Sequence, residues 1–113
     1  MSIRKAILVA VVGAGLAALS AASASAATWQ DTHPRRFEVN HRLLNQDMRI
    51  DHDLRMGRIT THQAAYLHYQ DGMIRMRERR DASLHDGHIT RMEQARLNAR
   101  ENLVSRHIYR ESH

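Results

Sequence analysis

The chain has 113 residues, with 17 Lys and Arg against 12 Asp and Glu, a formal net charge of +5 and no cysteine. That length holds one small domain with a thin core. The missing cysteine excludes disulfide bracing and any thiol nucleophile.

Residues 1–26 read as a secretory signal peptide. Arg4 and Lys5 give a positive start, Ile7 to Leu19 is an apolar run, and Ala24-Ser25-Ala26 is a small-x-small cleavage site. The run is short for a membrane span, which needs about 20 residues. No cysteine follows, which excludes a bacterial lipid anchor. Cleavage is expected after Ala26, with Ala24 as the second choice. The expected location is the bacterial periplasm or the exterior, with no membrane span left after cleavage. Without Arg4 and Lys5, 15 Arg face 12 acids, a net charge of +3. An exported cation of this kind would meet anionic lipid, lipopolysaccharide or acidic unfolded chains; nucleic acid is not an expected partner there.

Residues 27–33 form a short polar lead, and residues 34–113 a single helical domain. The fold class is all-α. Pro34 suits the first turn of a helix, where its missing N–H costs nothing. The first helix is expected from Pro34 to about Met56, with Phe37, Leu44 and Met48 on one side and Leu43, Ile50 and Leu54 beside them. Asn40, Asp47 and Asp51 lie close to that face. The second runs from Thr61 to about Leu84, with Tyr66, Leu67, Tyr69, Met73, Ile74 and Met76 as its face. The third runs from Arg91 to about Arg110, with Leu97, Val104 and Ile108 as its stripe and Leu103 at the edge. Glu78 with Arg75 or Arg79, and Glu93 with Arg96 or Arg100, suggest solvated outer faces.

The two connections share a skeleton, G-x-I-T-x-x-[Q/E], at Gly57 to Gln63 and again 30 residues later at Gly87 to Glu93. Gly57 and Gly87 can take the left-handed conformation that ends a helix. Thr60 and Thr90 can cap the next helix, and Gln63 and Glu93 can return a bond to the cap's N–H, a capping box. Two copies of this unit joined end to end give three helices. A calcium loop ending at Glu93 is the rival reading. It would need oxygen ligands at Ala82 and Leu84, which have none.

All nine histidines follow residue 26 and are joined by five methionines. His85-Asp86-Gly87-His88 places two imidazoles and a carboxylate in one loop, and imidazole with thioether suits copper or zinc. His85, Asp86 and His88 are therefore the candidate metal ligands; otherwise no cofactor is expected. No nucleophile, base and acid arrangement is visible, nor any phosphate-cradling glycine loop, so no enzymatic activity is expected. The expected binding surface has Tyr66, Tyr69, Met73 and Met76 as an apolar floor and Arg75, Arg77, Arg79 and Arg80 as a charged rim. The competing reading of that apolar stripe is intramolecular core.

The connection I-T-T-H-Q, Ile59 to Gln63, resembles the LTxxQ motif of the Spy/CpxP group of periplasmic proteins, with Ile for Leu in both copies and Glu93 for the second Gln. H-P-R-R, E-V-N and the terminal L-N, E-N and I-Y pairs are similar to short secreted proteins of proteobacteria. The first resemblance implies a small exported helical protein, an antiparallel cradle-shaped homodimer, and ATP-independent chaperone action on unfolded or amphipathic envelope proteins. The alternatives are metal buffering by the histidines, and a structural envelope protein with no ligand.

Overall fold

The computed structural model describes residues 27–113. The expected signal peptide lies outside the described residues. Every regular element described is a helix: α1 Trp29–Thr32, α2 Pro34–Arg55, α3 Thr61–Ser83 and α4 Arg91–Ser112. No helix among them is long and apolar enough to cross a membrane.

The single turn α1 falls in the polar lead. Thr28 Oγ1 accepts from the Asp31 N–H at 3.2 Å, and the Asp31 carboxylate accepts from the Thr28 N–H at 3.3 Å. The compact unit that begins at His33 holds the three long helices. Pro34 opens α2 at its first position. Gly57, at φ +72°, closes it. There the Arg58 N–H reaches Asp53 O at 2.9 Å and the Gly57 N–H reaches Leu54 O at 3.1 Å, the paired bonds of a Schellman ending. Both capping boxes form: Thr60 and Gln63 exchange bonds of 2.8 and 3.0 Å, and Thr90 and Glu93 bonds of 2.8 and 3.1 Å. The connections otherwise differ. α3 ends at Ser83, and Gly87 (φ +88°) comes later, after Asp86 has also turned left-handed at φ +54°.

Each long helix packs against the other two. Short connections make α2 and α3, and then α3 and α4, antiparallel; α2 and α4 therefore run parallel. Their polar ties advance together: Glu38 accepts from Gln94 and Asn98, each at 2.8 Å, Gln46 donates to Glu101 O at 2.6 Å, and Arg49 to Ser105 at 2.8 Å.

The core follows a four-three spacing on every helix, the period of helices that stay in contact along their length. On α2 the buried residues are Val39, Leu43, Gln46, Ile50 and Asp53; on α3 they are Ala64, Leu67, Asp71, Ile74, Glu78 and Ala82; on α4, Leu97, Glu101, Val104 and Ile108. Ile59 and Ile89 plug the two ends from the connections. The α4 stripe matches the sequence reading. The α2 stripe does not. Leu43 and Ile50 are buried, but Phe37, Leu44 and Met48 are exposed. The inward line runs through Gln46 and Asp53 instead of the more apolar neighbours. Glu78 is likewise no solvated residue: it is buried, and Arg36 of α2 pairs with it.

Candidate functional site: a groove between α3 and α4

Tyr66, Tyr69 and Met73 stand on the outside of α3, at 51%, 62% and 46% exposure. They are not intramolecular core. α3 buries Leu67, Asp71 and Ile74, which turns the residues one position before or two after these toward α4 or solvent. A cleft of about 350 Å³ follows, lined by Tyr66, Tyr69, Gln70, Met73 and Arg77 of α3 and by Arg100 and Leu103 of α4, with Ile74 and Val104 at its base. It continues at Arg77 into a second hollow with Arg80, Asp81, Leu84, Glu93 and Arg96. Tyr66, Tyr69 and Met73 of the expected apolar floor, with Arg77 and Arg80 of the expected rim, thus line a groove between the second and third long helices. Arg75 and Arg79 do not line it, nor does Met76. Arg75 instead pairs with Asp47 of α2 at 3.2 Å.

The groove is polarised along its length. One end is apolar, with Tyr66, Met73 and Leu103. There His107 is held by Gln70 at 3.0 Å and Glu111 at 2.9 Å, and meets the edge of Tyr66. The other end is cationic. Arg77, Arg80, Arg96 and Arg100 are exposed and, among the described residues, none has a carboxylate within 4.0 Å. Two acids share that end. Glu93 accepts from the Thr90 N–H, which holds its carboxyl below the usual range, and also faces His85 at 3.4 Å. Burial and the neighbouring Glu93 raise Asp81, against the charges of Arg77, Arg80 and Arg96, which pull its pKa down.

The α4 half of the groove is not in the sequence reading above. Its signal is a second four-three-four stripe, Arg96, Arg100, Leu103 and His107, one position ahead of the buried one. A stripe half arginine does not register as a binding face when apolar residues alone are sought.

The candidate metal loop takes a different form. His85 turns to Glu93, whereas the His88 ring stacks on His33 at 4.6 Å. The two imidazoles thus serve different partners. No group of three or more His, Asp or Glu able to hold a metal occurs among the described residues.

On the opposite side of α3, at the seam with α2, His68 contacts two carboxylates: Nδ1 lies 3.1 Å from Asp47 and Nε2 2.8 Å from Asp51. Partial burial opposes the imidazolium, but the two aspartates outweigh it and raise its pKa. Burial of Asp47 is likewise outweighed by its partners, His68 and Arg75 among them, and its pKa is lowered. Deeper in, no donor reaches either oxygen of Asp71. Burial first, then a hydrogen bond to Asp47 that Asp71 makes only while it holds its proton, push Asp71 up to about 8. Glu101, equally buried and with no partner on either oxygen, is pushed up to about 8 by burial and then by Glu38.

Comparison with protein-family models, with curated proteins and with solved structures gave no match in any of the three.

Proposed function

We propose that the protein is a non-enzymatic binding protein of the bacterial envelope, which holds partner chains in the α3/α4 groove. One observation carries this reading: large apolar side chains stay exposed along a helix groove whose far end is rimmed by arginines that, among the described residues, make no close ion pair. A monomer's own core has no use for Tyr66, Met73 and Leu103 on its surface, and an exposed patch of this kind marks an interaction site. Methionine adapts its shape to varied partners. The secretory pattern of residues 1–26 supports an exported location, and the likeness of I-T-T-H-Q to the LTxxQ motif supports a chaperone-like role. The outer face of α2, with Phe37, Leu44 and Met48, is the proposed seam of a homodimer.

The test is suppression of aggregation of a chemically unfolded client by the purified protein. Light scattering from the client should fall at near-stoichiometric protein. Met73→Asp with Leu103→Asp should abolish the effect while leaving the melting curve in place, because surface substitutions shift stability by only about 0.5 kcal/mol. A protein that leaves client aggregation unchanged at every ratio ends the chaperone reading.

A further inference from the structure

The spacing on the groove walls defines the shape of what lies there. On α3 the main row of the wall is Tyr66, Gln70, Met73, Arg77 and Arg80, with Tyr69 and Asp81 beside it; on α4 the row is Arg96, Arg100, Leu103 and His107, with Glu93 before it. Both rows step by four and three, the same period as the buried stripes. A wall of this period offers holes to a helix lying nearly parallel to α3 and α4, and none that match an extended chain. Hydrogen bonding points the same way. The described elements are all helices, so an extended segment finds no sheet edge to pair with. Laid on tyrosine and methionine, its N–H and C=O groups would lose water without replacement. A helix satisfies its own backbone.

Charge selects among helices. The four groove arginines outnumber Asp81 and Glu93, so the groove would repel a basic occupant, gain nothing from a neutral one and attract an acidic one. None of the chain's own long helices is acidic. α2 carries five Arg against four acids, α3 four against three, and α4 five against three. A second copy therefore brings no complementary charge. The segregation of the groove also sets the direction, with apolar residues at one end and carboxylates at the other.

We propose that the α3/α4 groove seats a single acidic amphipathic helix of a partner protein, lying as a fourth helix. Its apolar half covers Tyr66, Met73 and Leu103, and its acidic half faces Arg77, Arg80, Arg96 and Arg100. This rests on the reading of the groove as a partner site and narrows it to one conformation and one charge. From Tyr66 to Arg80 the wall is about 21 Å long at 1.5 Å per residue, so the occupant spans about four turns.

The probe is a fluorescent peptide of about 18 residues with leucines at four-three spacing and glutamates flanking one half. Three controls accompany it: the same peptide with lysine for glutamate, the acidic peptide with a central proline, and vesicles of phosphatidylglycerol. Anisotropy and circular dichroism are read on the purified protein. The acidic peptide should bind and gain helix content. Arg77→Glu with Arg100→Glu should weaken it about tenfold or more, and salt near roughly 0.5 M should do the same. The lysine and proline peptides should bind at least about tenfold more weakly, since one loses the charge match and the other the helix. Equal binding of the proline peptide would overturn the helical occupant, and equal binding of the lysine peptide would overturn the charge selection. Binding to the vesicles alone, or acidic-peptide binding untouched by the arginine substitutions, would also overturn the proposal. Client aggregation separates this from the broader reading. If suppression persists without preference for the acidic helix, only the inference here fails. If suppression is absent as well, both fail.

Discussion

A buried carboxylate with no hydrogen bond keeps its proton, because charging it would strand an ion in a medium that cannot solvate it. Glu101 is in that position near neutral pH, and Asp71 keeps its proton by burial and by its hydrogen bond to Asp47. In the unfolded chain Asp71 and Glu101 titrate near 3.8 and 4.5, and in the fold near about 8. Between those limits the folded state binds more protons than the unfolded one, so stability falls as pH rises from about 4 to 8 and then levels. His68 acts with the same sign. Both of its ring nitrogens face carboxylates, which requires both to carry hydrogen. Its raised pKa adds stability that is complete below about 6.5 and is lost as pH rises through the folded value. The lowered acids Glu38, Asp47 and Glu93 act oppositely, and their contribution is lost only at more acidic pH. The melting temperature should therefore be higher at pH 5 than at pH 8.5. Glu101→Leu should flatten that slope and stabilise the protein at pH 8 by about 1–3 kcal/mol, the cost of an unsatisfied buried polar group. A profile that rises from pH 5 to pH 8.5 would contradict this account. None of this is visible in the sequence, where Asp71, between Gln70 and Gly72, and Glu101, between Arg100 and Asn102, look like any solvated charge. Their burial depends on which of two neighbouring stripes faces inward.

At the scale of the helix, the punctuation is the legible part. The positions of Gly57, Thr60, Gln63, Thr90 and Glu93 mark helix ends through local chemistry that needs no tertiary information, whereas α3 stops at Ser83, before Gly87. The boxes at Thr60 and Thr90 form as the spacing implies. Thr60→Ala or Thr90→Ala should each cost about 1 kcal/mol in urea unfolding. Gly57→Ala should cost about the same for another reason. Open space surrounds the added methyl group, and the left-handed backbone alone supplies the penalty. Urea curves identical to that of the parent would count against these assignments. Facing directions were harder to read. The α2 residues Phe37, Leu44 and Met48 form a more apolar line than Val39, Leu43, Gln46, Ile50 and Asp53. Yet the second line faces inward, since it lies between both neighbours and lets Gln46 reach Glu101 O and the Asp53 carboxylate meet the Arg58 guanidinium at 3.6 Å. Tertiary packing overrides the stronger apolar line.

For the molecule as a whole, the consequence is a bundle with two apolar systems, one inside and one out. The outer face of α2 repeats the four-three spacing at Phe37, His41, Leu44 and Met48. Leu44 and Met48 are 53% and 59% exposed. If this face is the dimer seam, Leu44→Glu with Met48→Glu should convert a dimer to a monomer in light scattering without loss of helix content. The groove should still bind its acidic peptide, because it lies on the other two helices. A parent protein that already scatters as a monomer at high concentration removes the seam.

The buried acids have one more effect, on which alignments the chain can reach. A three-helix bundle of purely aliphatic stripes could slide by seven residues and lose little, since each layer would resemble the next. Here α3 alternates apolar and acidic layers: Leu67, Asp71, Ile74, Glu78. Glu78 finds Arg36 and Asn40 at only one height on α2. A shift by one repeat would separate Glu78 from that guanidinium and press it against aliphatic side chains. Decoy alignments are thus penalised more heavily than the native one, as a polar residue in a coiled-coil seam fixes its partner's position. The acidic layers, Glu78 with its guanidinium above all, act as teeth on a key, admitting one vertical setting of the three helices and rejecting its near copies.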